Sequence, residues 1–549
     1  MARVLTFVHR LRLAPVWGAV AVFVSLIGMV ETFAGRGIVD GVLSLADALL
    51  LFIGAAAGFQ AARFDRVIGW KQRMLGAVAA GAVVGALLAA LILLGHWVDL
   101  RRVFVNASPV LFNDLSFGQG VRGAYWPIVA GAAAGTAGGV GALLPPAVQG
   151  PVGRGLVVVL LLALFQDLLN PLLSVAEPLA MLRDSLYGAS GLSIAGAVIA
   201  LVITAAASAL WMQRGRTARR WYAALPIVPR RGLAAFALLV AVALVIALPP
   251  LAGPFVSTVL VFAGLYALMG LGLNVVVGFA GLLDLGYVAF FAIGAYTTAL
   301  LTSTDAHGLA HLSFWIAAPV SMAMALLAGV LLGIPVLGIR GDYLAIATLG
   351  FGEIIRLLVL SDFLRPWLGG SQGVLAVPKP RLDGIELASP GDIFYVTLVA
   401  CAVLVFVAAR LRDSRLGRAW MAMREDEDVA QAMGINLVAT KLAAFGFGAT
   451  FGGLAGAIFA SFVGSVFPQS FQLIISINVL SLIIVGGMGS MPGVIVGALV
   501  LVGLPELLRE FSDFRYLVYG AALVYMMRKR PEGLWPAAAV KRELHAEQA

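Results

Sequence analysis

Long apolar runs separated by short polar stretches repeat along almost the whole chain. A helix needs about 20 predominantly apolar residues to cross the hydrocarbon core of a bilayer, and most of the runs are about that long. They lie near residues 16–34, 40–61, 74–97, 125–147, 155–175, 190–212, 233–252, 256–279, 284–302, 313–337, 342–360, 393–409, 439–463, 472–489, 492–507 and 514–527. The pattern predicts an all-α fold, a polytopic integral membrane helical bundle of about sixteen spans.

The composition agrees with this pattern. Average soluble chains carry about 25% charged residues. This chain of 549 residues is 12% charged and 61% hydrophobic, with a mean hydropathy of +1.00. These values exclude an ordinary soluble domain and predict the lipid bilayer as the surroundings. The net charge of +9 does not indicate a nucleic-acid partner, because the arginines cluster in loops beside the apolar runs.

The distribution of basic residues predicts the orientation of the chain. If the N-terminus is cytoplasmic, the basic stretches at 63–73, 213–232, 410–441 and 528–542 all fall on the cytoplasmic side. This is the arrangement that the positive-inside rule describes. Both termini are therefore predicted to be cytoplasmic.

The basic segment 213–232 is the best candidate for a domain boundary, since it also contains Pro226 and Pro229. It separates an N-terminal extra transmembrane block of about six spans, residues 1–232, from a second transmembrane block, residues 233–536. A cytoplasmic tail, residues 537–549, follows. The sequence does not indicate what the first block does.

The segment 410–441 is a long polar stretch, rich in both signs of charge, between apolar runs. Acidic residues are favoured in the first turn of a helix and glycine beyond its last turn. We therefore predict a short helix near 427–433, held by the surface of a soluble partner because it is too short to be stable alone. A merely solvated charged loop is the alternative. The candidate coupling residues are Arg424, Glu425, Asp426, Glu427, Asp428, Ala430 and Gly434.

Two glycine-rich stretches, residues 278–286 and 486–493, predict a broken or re-entrant helix in the core of the second block. Irregular backbone at membrane depth is tolerated only where it is buried in protein or lines a cavity. Asp284 could instead cap the following helix, Glu353 could simply pair with Arg356, and the second glycine cluster could be a tight turn. The candidate residues of the translocation path are Asn274, Gly278, Gly281, Asp284, Glu353, Gly486, Gly487 and Gly489.

Two further sets of glycines recur every fourth residue, at positions 131, 135 and 139 and at positions 448, 452 and 456. Small residues at this spacing allow another helix to approach closely in lipid. Close helix packing is the role we predict for both sets.

The chain shows no sign of a nucleotide site or of an enzyme centre. A phosphate-binding loop needs a lysine directly after a glycine, and none of the lysines, residues 71, 379, 441, 529 and 541, follows one. The histidines form no metal-ligand pair on a predicted helix. We therefore expect no catalysis and no cofactor bound by this chain, so that any energy for transport comes from a partner or from an ion gradient.

An ordered series of motifs between residues 255 and 536 resembles the LivM-type permease subunit of bacterial branched-chain amino acid ABC importers. The motifs are Gly272-Leu273-Asn274, Gly281-Leu282-Leu283-Asp284-Leu285-Gly286-Tyr287, Arg340-Gly341-Asp342-Tyr343, Gly369-Gly370-Ser371-Gln372-Gly373, Arg424-Glu425-Asp426-Glu427, Gly486-Gly487-Met488-Gly489-Ser490-Met491-Pro492-Gly493 and Arg530-Pro531-Glu532-Gly533-Leu534.

The resemblance implies a multi-pass subunit of the bacterial inner membrane, in which the second block, residues 233–536, is the ABC permease transmembrane domain. Its partners would be a homologous LivH-type permease, two cytoplasmic ABC ATPases that use ATP, and a periplasmic amino acid-binding protein that delivers leucine, isoleucine or valine. The segment 410–441 would then couple the chain to the ATPases, and the outer loop Ser361–Asp392 would receive the binding protein.

Two alternatives stay open. A urea or short-amide ABC permease shares much of the motif pattern. An ion-coupled secondary transporter would place ionisable groups near the bilayer midplane, where this chain has few, and would not need a charged coupling segment. The sequence leaves open the preferred substrate, the residues that touch it, and whether the permease pair is a hetero- or a homodimer.

Overall fold

The computed structural model describes residues 12–63, 69–174, 177–188, 191–224, 227–336, 338–339 and 341–503, and single positions and short pieces between 514 and 536. These residues divide into two compact units, Met1–Ala241 and Val242–Ala549. The division predicted after residue 232 stays a prediction. The predicted tail 537–549 lies outside the described residues, and the run predicted near 514–527 is described only in part.

Unit 1 is helical, with one short antiparallel ribbon. The ribbon pairs β1 (Gly37–Val39) with β2 (Leu43–Ser44). The helices are α1 (Ala14–Leu26), α2 (Met29–Ala34), α3 (Leu45–Arg63), α4 (Trp70–Trp97), α5 (Pro109–Leu115), α6 (Trp126–Leu143), α7 (Pro146–Leu164), α8 (Gln166–Leu173), α9 (Glu177–Leu186) and α10 (Ile194–Ala224).

Glycines bring α4 and α6 together in unit 1. A methyl group on Gly135 would collide with the carbonyl of Ala77, and one on Gly131 would collide with the carbonyl of Gly81. Such close approach of two backbones is how small residues hold helices together in lipid. The packing role predicted for the glycines at 131, 135 and 139 is confirmed.

Helix α11 (Ile227–Leu273) contains the boundary between the units, and it is broken at Gly253, whose φ and ψ are 80° and 178°. Pro249, Pro250 and Pro254 surround this break. Proline removes a backbone donor and clashes with the preceding turn. This explains why the helix is interrupted at Gly253, between the two runs predicted near 233–252 and 256–279.

Unit 2 continues with helices and one hairpin of strands, β3 (Arg381–Leu382) paired antiparallel with β4 (Ile385–Glu386). The helices are α12 (Val288–Thr302), α13 (Phe314–Val336), α14 (Asp342–Leu360), α15 (Arg365–Leu368), α16 (Pro390–Asp413), α17 (Arg415–Glu425), α18 (Glu427–Ala432), α19 (Leu437–Val463), α20 (Leu473–Gly486) and α21 (Met491–Ala498). Two π-helical turns, Asn274–Phe279 and Leu499–Gly503, extend α11 and α21.

Helix α19 is the centre of the unit 2 core, and its glycines are the reason. A methyl group on Gly456 would collide with the carbonyl of Phe291 in α12, and one on Gly453 would lie 2.6 Å from Cβ of Ala325 in α13. The hydroxyl of Tyr287 also donates to the carbonyl of Gly448 at 2.7 Å. The close packing predicted for the second set of glycines is therefore confirmed.

Among the residues that the structure describes, eleven helices are long and apolar enough to cross a membrane, and three shorter apolar helices accompany them. The polytopic helical fold is confirmed, whereas the count of about sixteen spans stays a prediction. Helix α12 has 15 residues and α20 has 14. At 1.5 Å per residue each is about 20 Å long, shorter than the roughly 30 Å hydrocarbon core. Helix α20 is counted among the eleven because the preceding turn Pro468–Phe471 lengthens it to the 19 residues Pro468–Gly486. Both helices adjoin the glycine-rich places, and the predicted re-entrant course remains a prediction.

Candidate functional site: two helix breaks and a charged helix pair

The first break, residues Asn274–Tyr287, separates α11 from α12. The chain leaves α11 through the π-helical turn Asn274–Phe279, which is fully buried, and α12 begins at Val288. π-Helical turns inside longer helices occur frequently at functional sites. Asn274 is 1% exposed, so its side-chain amide needs partners within the protein.

The second break, residues Gly486–Ser490, separates α20 from α21. Gly487 has φ 120° and Gly489 has φ 77°, conformations that side chains with a Cβ rarely adopt. Ser490 then caps α21 by accepting a hydrogen bond from the backbone N–H of Gly493 at 3.2 Å. The helix therefore stops in a tight turn and restarts at once.

A later piece of the chain closes the second break. The backbone N–H groups of Leu534 and Trp535 donate to the carbonyls of Val485 and Gly486 at 2.8 and 2.9 Å. These carbonyls belong to the last turn of α20, where a helix leaves its acceptors unused. Leu534 and Trp535 thus supply the hydrogen-bond donors that the end of α20 lacks.

Asn274 joins the two breaks. Its Oδ1 accepts a hydrogen bond from the backbone N–H of Gly489 at 2.8 Å, across 215 residues of sequence. Gly278, one turn after Asn274, borders the same contact, since a methyl group there would lie 2.8 Å from the nitrogen of Gly489. The structure therefore brings together three predicted path residues, with Gly486 and Gly487 in the adjoining turn.

The charged helix pair, residues Arg415–Ala432, consists of α17 and α18. Asp426 separates the two helices in an extended conformation, φ −158° and ψ 116°, and its Oδ1 accepts from the N–H groups of Asp428 and Val429 at 2.9 and 3.0 Å. Asp426 is thus the N-cap of α18. The helix predicted near 427–433 is present as Glu427–Ala432, whereas Glu425 ends the preceding helix and does not open this one.

Two contacts fix the helix pair to the first turns of α19. Trp420 is fully buried, and its Nε1 donates to the carbonyl of Thr440 at 2.9 Å. Lys441, with 6% of its side chain exposed, forms an ion pair with Glu427 at 2.9 Å. Buried charges are usually paired in this way. Glu427 therefore faces the protein, as does the buried Ala430.

The outer surface of the helix pair is partly apolar. Val429 is 58% exposed and Met433 is 78% exposed. Glu425, Asp426 and Asp428 are exposed beside them. Gly434, with φ 85°, then turns the chain towards α19, which Asn436 caps by accepting from the N–H of Ala439 at 3.0 Å.

Arg424 extends from the helix pair to the first break. Its Nη1 donates to the carbonyl of Gly278 at 2.6 Å. Its aliphatic stem lies beside Gly281, where a methyl group would stand 2.8 Å from Cγ. The sequence grouped Arg424 with the coupling residues and the two glycines with the path, and the structure places all three in one contact.

Asp284 and Glu353 have other described partners. Asp284 is fully buried in the first break, and its Oδ1 accepts from the N–H of Gly286 at 2.8 Å. This is a local turn before α12 and not a cap of that helix, because its N-cap is Tyr287 and no side chain caps it. Glu353 pairs with Arg356 on α14, with Nε of the arginine 3.0 Å from Oε2.

The loop predicted to receive a binding protein is ordered by contacts with the end of α19. Val374 and Val466 exchange backbone hydrogen bonds of 3.0 and 2.8 Å. Lys379 donates to the carbonyl of Phe462 and lies over its ring, 5.7 Å from the centroid. Partial burial there lowers the pKa of the Lys379 ammonium below its usual range. Leu382 and Ile385 of the hairpin stay exposed.

Sequence reasoning missed Trp420 and Lys441. A lysine in the first turn of a long apolar run is a signal, because its charge has to be paired once the helix is packed. The short acidic segment before it offers the nearest carboxylates. The choice of Glu427 among them depends on the path of the chain and has no sequence signal.

The described helices and their joined breaks define a polytopic helical membrane protein. Residues 255–527 match the family model for the permease component of the branched-chain amino acid transport system. The chain is 44% identical over 295 residues to the high-affinity branched-chain amino acid transport system permease protein LivM of Escherichia coli (strain K12), which covers 50% of this chain and 68% of that protein. The chain therefore belongs to the LivM family of branched-chain amino acid transport permeases.

More distant relatives match as well. The probable branched-chain amino acid transport permease protein LivM of Methanocaldococcus jannaschii is 22% identical over 327 residues, covering 51% of this chain and 93% of that protein. The high-affinity permease protein LivH of Salmonella typhimurium is 23% identical over 287 residues, covering 49% of this chain and 90% of that protein. No solved structure matches the chain.

Proposed function

We propose that this chain is a transmembrane permease subunit of an ATP-driven importer for branched-chain amino acids. The observation that carries the proposal is the 44% identity to a LivM permease over 68% of that protein. The junction of the two breaks through Asn274 supports a translocation path in unit 2, because irregular backbone at membrane depth has to be buried in protein or to line a cavity.

The proposed complex contains a second, LivH-type permease, two cytoplasmic ABC ATPases that use ATP, and a periplasmic amino acid-binding protein. The match of this chain to LivH as well as LivM supports a pair of related permeases, and whether the pair is hetero- or homodimeric is part of the test. The chain would lie in the bacterial inner membrane with both termini in the cytoplasm, an orientation that the basic loops support.

The test is uptake by proteoliposomes that hold the whole complex and the binding protein. We expect radiolabelled leucine to accumulate only when ATP is enclosed on the side of the ATPases, and unlabelled isoleucine or valine to compete while urea does not. Accumulation by this chain alone under a proton or sodium gradient would overturn the proposal in favour of a secondary transporter. Competition by urea or a short amide, without competition by valine, would favour an amide permease.

We assign the docking of the ATPases to the outer surface of α18 and of Met433, the residue that follows this helix. Val429 and Met433 are exposed apolar side chains beside exposed acids, and methionine is enriched at protein–protein interfaces. The acids that the sequence pointed to are less suitable probes. Replacing Asp426 removes a helix cap, and replacing Glu427 leaves Lys441 without its partner.

The docking assignment is tested by the variant Met433→Glu. We expect co-purification of the ATPases with the permease to fall by about tenfold, because a new charge opposite an apolar pocket costs more than 1.4 kcal/mol when it is desolvated. Ile385→Glu is the control, since Ile385 is equally exposed but lies on the hairpin that we place on the periplasmic side. Unchanged co-purification of the Met433 variant would remove the docking assignment without affecting the transport assay.

A further inference from the structure

We propose that Arg424 is a positioning residue that transmits movement of the charged helix pair to the junction of the two breaks. The proposal rests on the proposed function, since it presumes that an ATP-driven partner moves this helix pair. It goes beyond that function by naming the route along which the movement reaches the transmembrane core.

The first link is the contact between Arg424 and the first break. The guanidinium donates to the carbonyl of Gly278 at 2.6 Å, and the stem of the side chain packs beside Gly281. A charge-assisted hydrogen bond is stronger than a neutral one, and its planar donor has a fixed direction. Arg424 thus holds the C-terminal end of the π-helical turn in a defined place relative to α17.

The second link lies one turn away in the same helix. Asn274 Oδ1 accepts from the N–H of Gly489 at 2.8 Å, so that the first break holds the second. A methyl group on Gly278 would overlap with the Asn274 side chain, which leaves no space for the turn to shift without disturbing the amide. A displacement of the Gly278 carbonyl therefore changes the Asn274–Gly489 hydrogen bond.

The third observation is that the helix pair is itself well anchored. Trp420 and the Lys441–Glu427 ion pair hold it to the start of α19. Helix pair and helix start therefore move together as one body. Arg424 supplies the described hydrogen bond from the helix pair to the π-helical turn, while α19 also reaches the first break through the bond from Tyr287 to Gly448. Removing the donors of Arg424 would leave this body in place but take away its direct link to Gly278.

The alternative is that Arg424 only stabilises the end of the π-helical turn. Arg424→Met keeps most of the aliphatic stem and removes the hydrogen-bond donors. Arg424→Lys restores the positive charge without the planar set of N–H donors of the guanidinium. Arg415→Met is the matched control, because Arg415 is an exposed arginine at the other end of α17. Each variant would be assembled with the second permease, the ATPases and the binding protein in proteoliposomes.

We expect Arg424→Met to assemble and hydrolyse ATP as the unmodified complex does, while leucine uptake per ATP falls by about tenfold, the loss of one charge-assisted hydrogen bond. Arg424→Lys should recover part of that ratio, and Arg415→Met should leave it unchanged. A proportional fall of uptake and hydrolysis, or an unchanged ratio in Arg424→Met, would overturn the proposal. Failure of the unmodified complex to accumulate leucine with ATP would instead contradict the proposed function.

A second measurement does not depend on transport. Amide hydrogen exchange at Gly489 reports the hydrogen bond to Asn274 directly, and it can be followed in the full chain in detergent. Asn274→Ala should speed exchange there. If the link is mechanical, Arg424→Met should also speed it, whereas Arg415→Met should not. Exchange at Gly489 that is the same in Arg424→Met as in the unmodified chain would contradict the link.

Discussion

Glycine is abundant in both units and packs helices in both, but unit 2 adds a second use. In unit 1, Gly81 and Gly135 lie inside continuous helices and allow α4 and α6 to approach. In unit 2, Gly278 and Gly489 lie where helices are interrupted, and each has a polar partner on another segment, Arg424 or Asn274. The chemistry beside a glycine, more than the glycine itself, separates a packing contact from a functional break.

The same contrast applies to charge. The ion pair between Lys441 and Glu427 is buried and joins two elements of unit 2. In unit 1, Arg183 pairs with its sequence neighbour Asp184, and the carboxylate is 66% exposed. Exposed pairs contribute little to stability, whereas a buried pair becomes costly once one partner is removed. Removing one partner of the buried pair in unit 2 should therefore cost more stability than removing one partner of the exposed pair in unit 1.

The largest effect is expected from Gly278→Val. The added side chain would overlap with Asn274, and overpacking of about 1–3 kcal/mol shifts an equilibrium between conformations by roughly five- to 150-fold. We expect ATP-dependent leucine uptake to fall by that factor at equal amounts of assembled complex. Gly350→Val is the control, because open space surrounds Gly350. Equal uptake by the two variants would show that the junction is not part of the transport cycle.

The next effect is expected from Lys441→Met. Removing one partner of a buried pair costs about 3–5 kcal/mol, and we expect about 2–3 kcal/mol here because Glu427 keeps 21% of its side chain exposed. Amide exchange in α17 and α18 should rise by roughly 30- to 100-fold. The double variant Lys441→Met/Glu427→Gln should recover part of the loss. If amide exchange in the double variant were as fast as in Lys441→Met, the stability cost would come from lost packing alone and not from the unpaired charge.

A smaller effect, confined to unit 1, is expected from Gly135→Ala. The methyl group would collide with the carbonyl of Ala77, at a cost of about 1–3 kcal/mol. The thermal midpoint of the chain should fall, while leucine uptake per assembled complex stays the same. Gly153→Ala, at an open position of α7, should change neither quantity. A selective loss of uptake would mean that unit 1 takes part in transport.

The smallest effect is expected from Trp420→Phe. The ring is kept, and the hydrogen bond from Nε1 to the carbonyl of Thr440 is lost. One such bond contributes about 1 kcal/mol, which corresponds to a rise in local amide exchange of about fivefold. An effect as large as that of Lys441→Met would show that the tryptophan, and not the ion pair, is the main anchor of the helix pair.

The sequence predicted those features that depend on local chemistry. Helix α14 has the predicted bounds, 342–360, and the acidic run correctly marked a short helix, because Asp426 is a strong N-cap. The glycine cluster at 486–493 was correctly expected to interrupt a helix. In each case the signal lies within a few residues of the feature that it produces.

Features that depend on distant contacts could not be predicted. The bond between Asn274 and Gly489 crosses 215 residues, and no local pattern indicates it. The acidic run suggested an outward-facing surface, yet Glu427 faces the protein because Lys441, 14 residues later, lies beneath it. Arg424 was assigned to a partner for the same reason, while the folded chain directs it to Gly278.

The donors that Leu534 and Trp535 offer to the end of α20 have a practical consequence for anyone who handles this molecule. A truncation that removes these residues would leave two main-chain oxygens beside Gly487 without their hydrogen-bond donors. An added sequence such as a purification tag should therefore begin only beyond residue 536, with a flexible spacer between Trp535 and the tag.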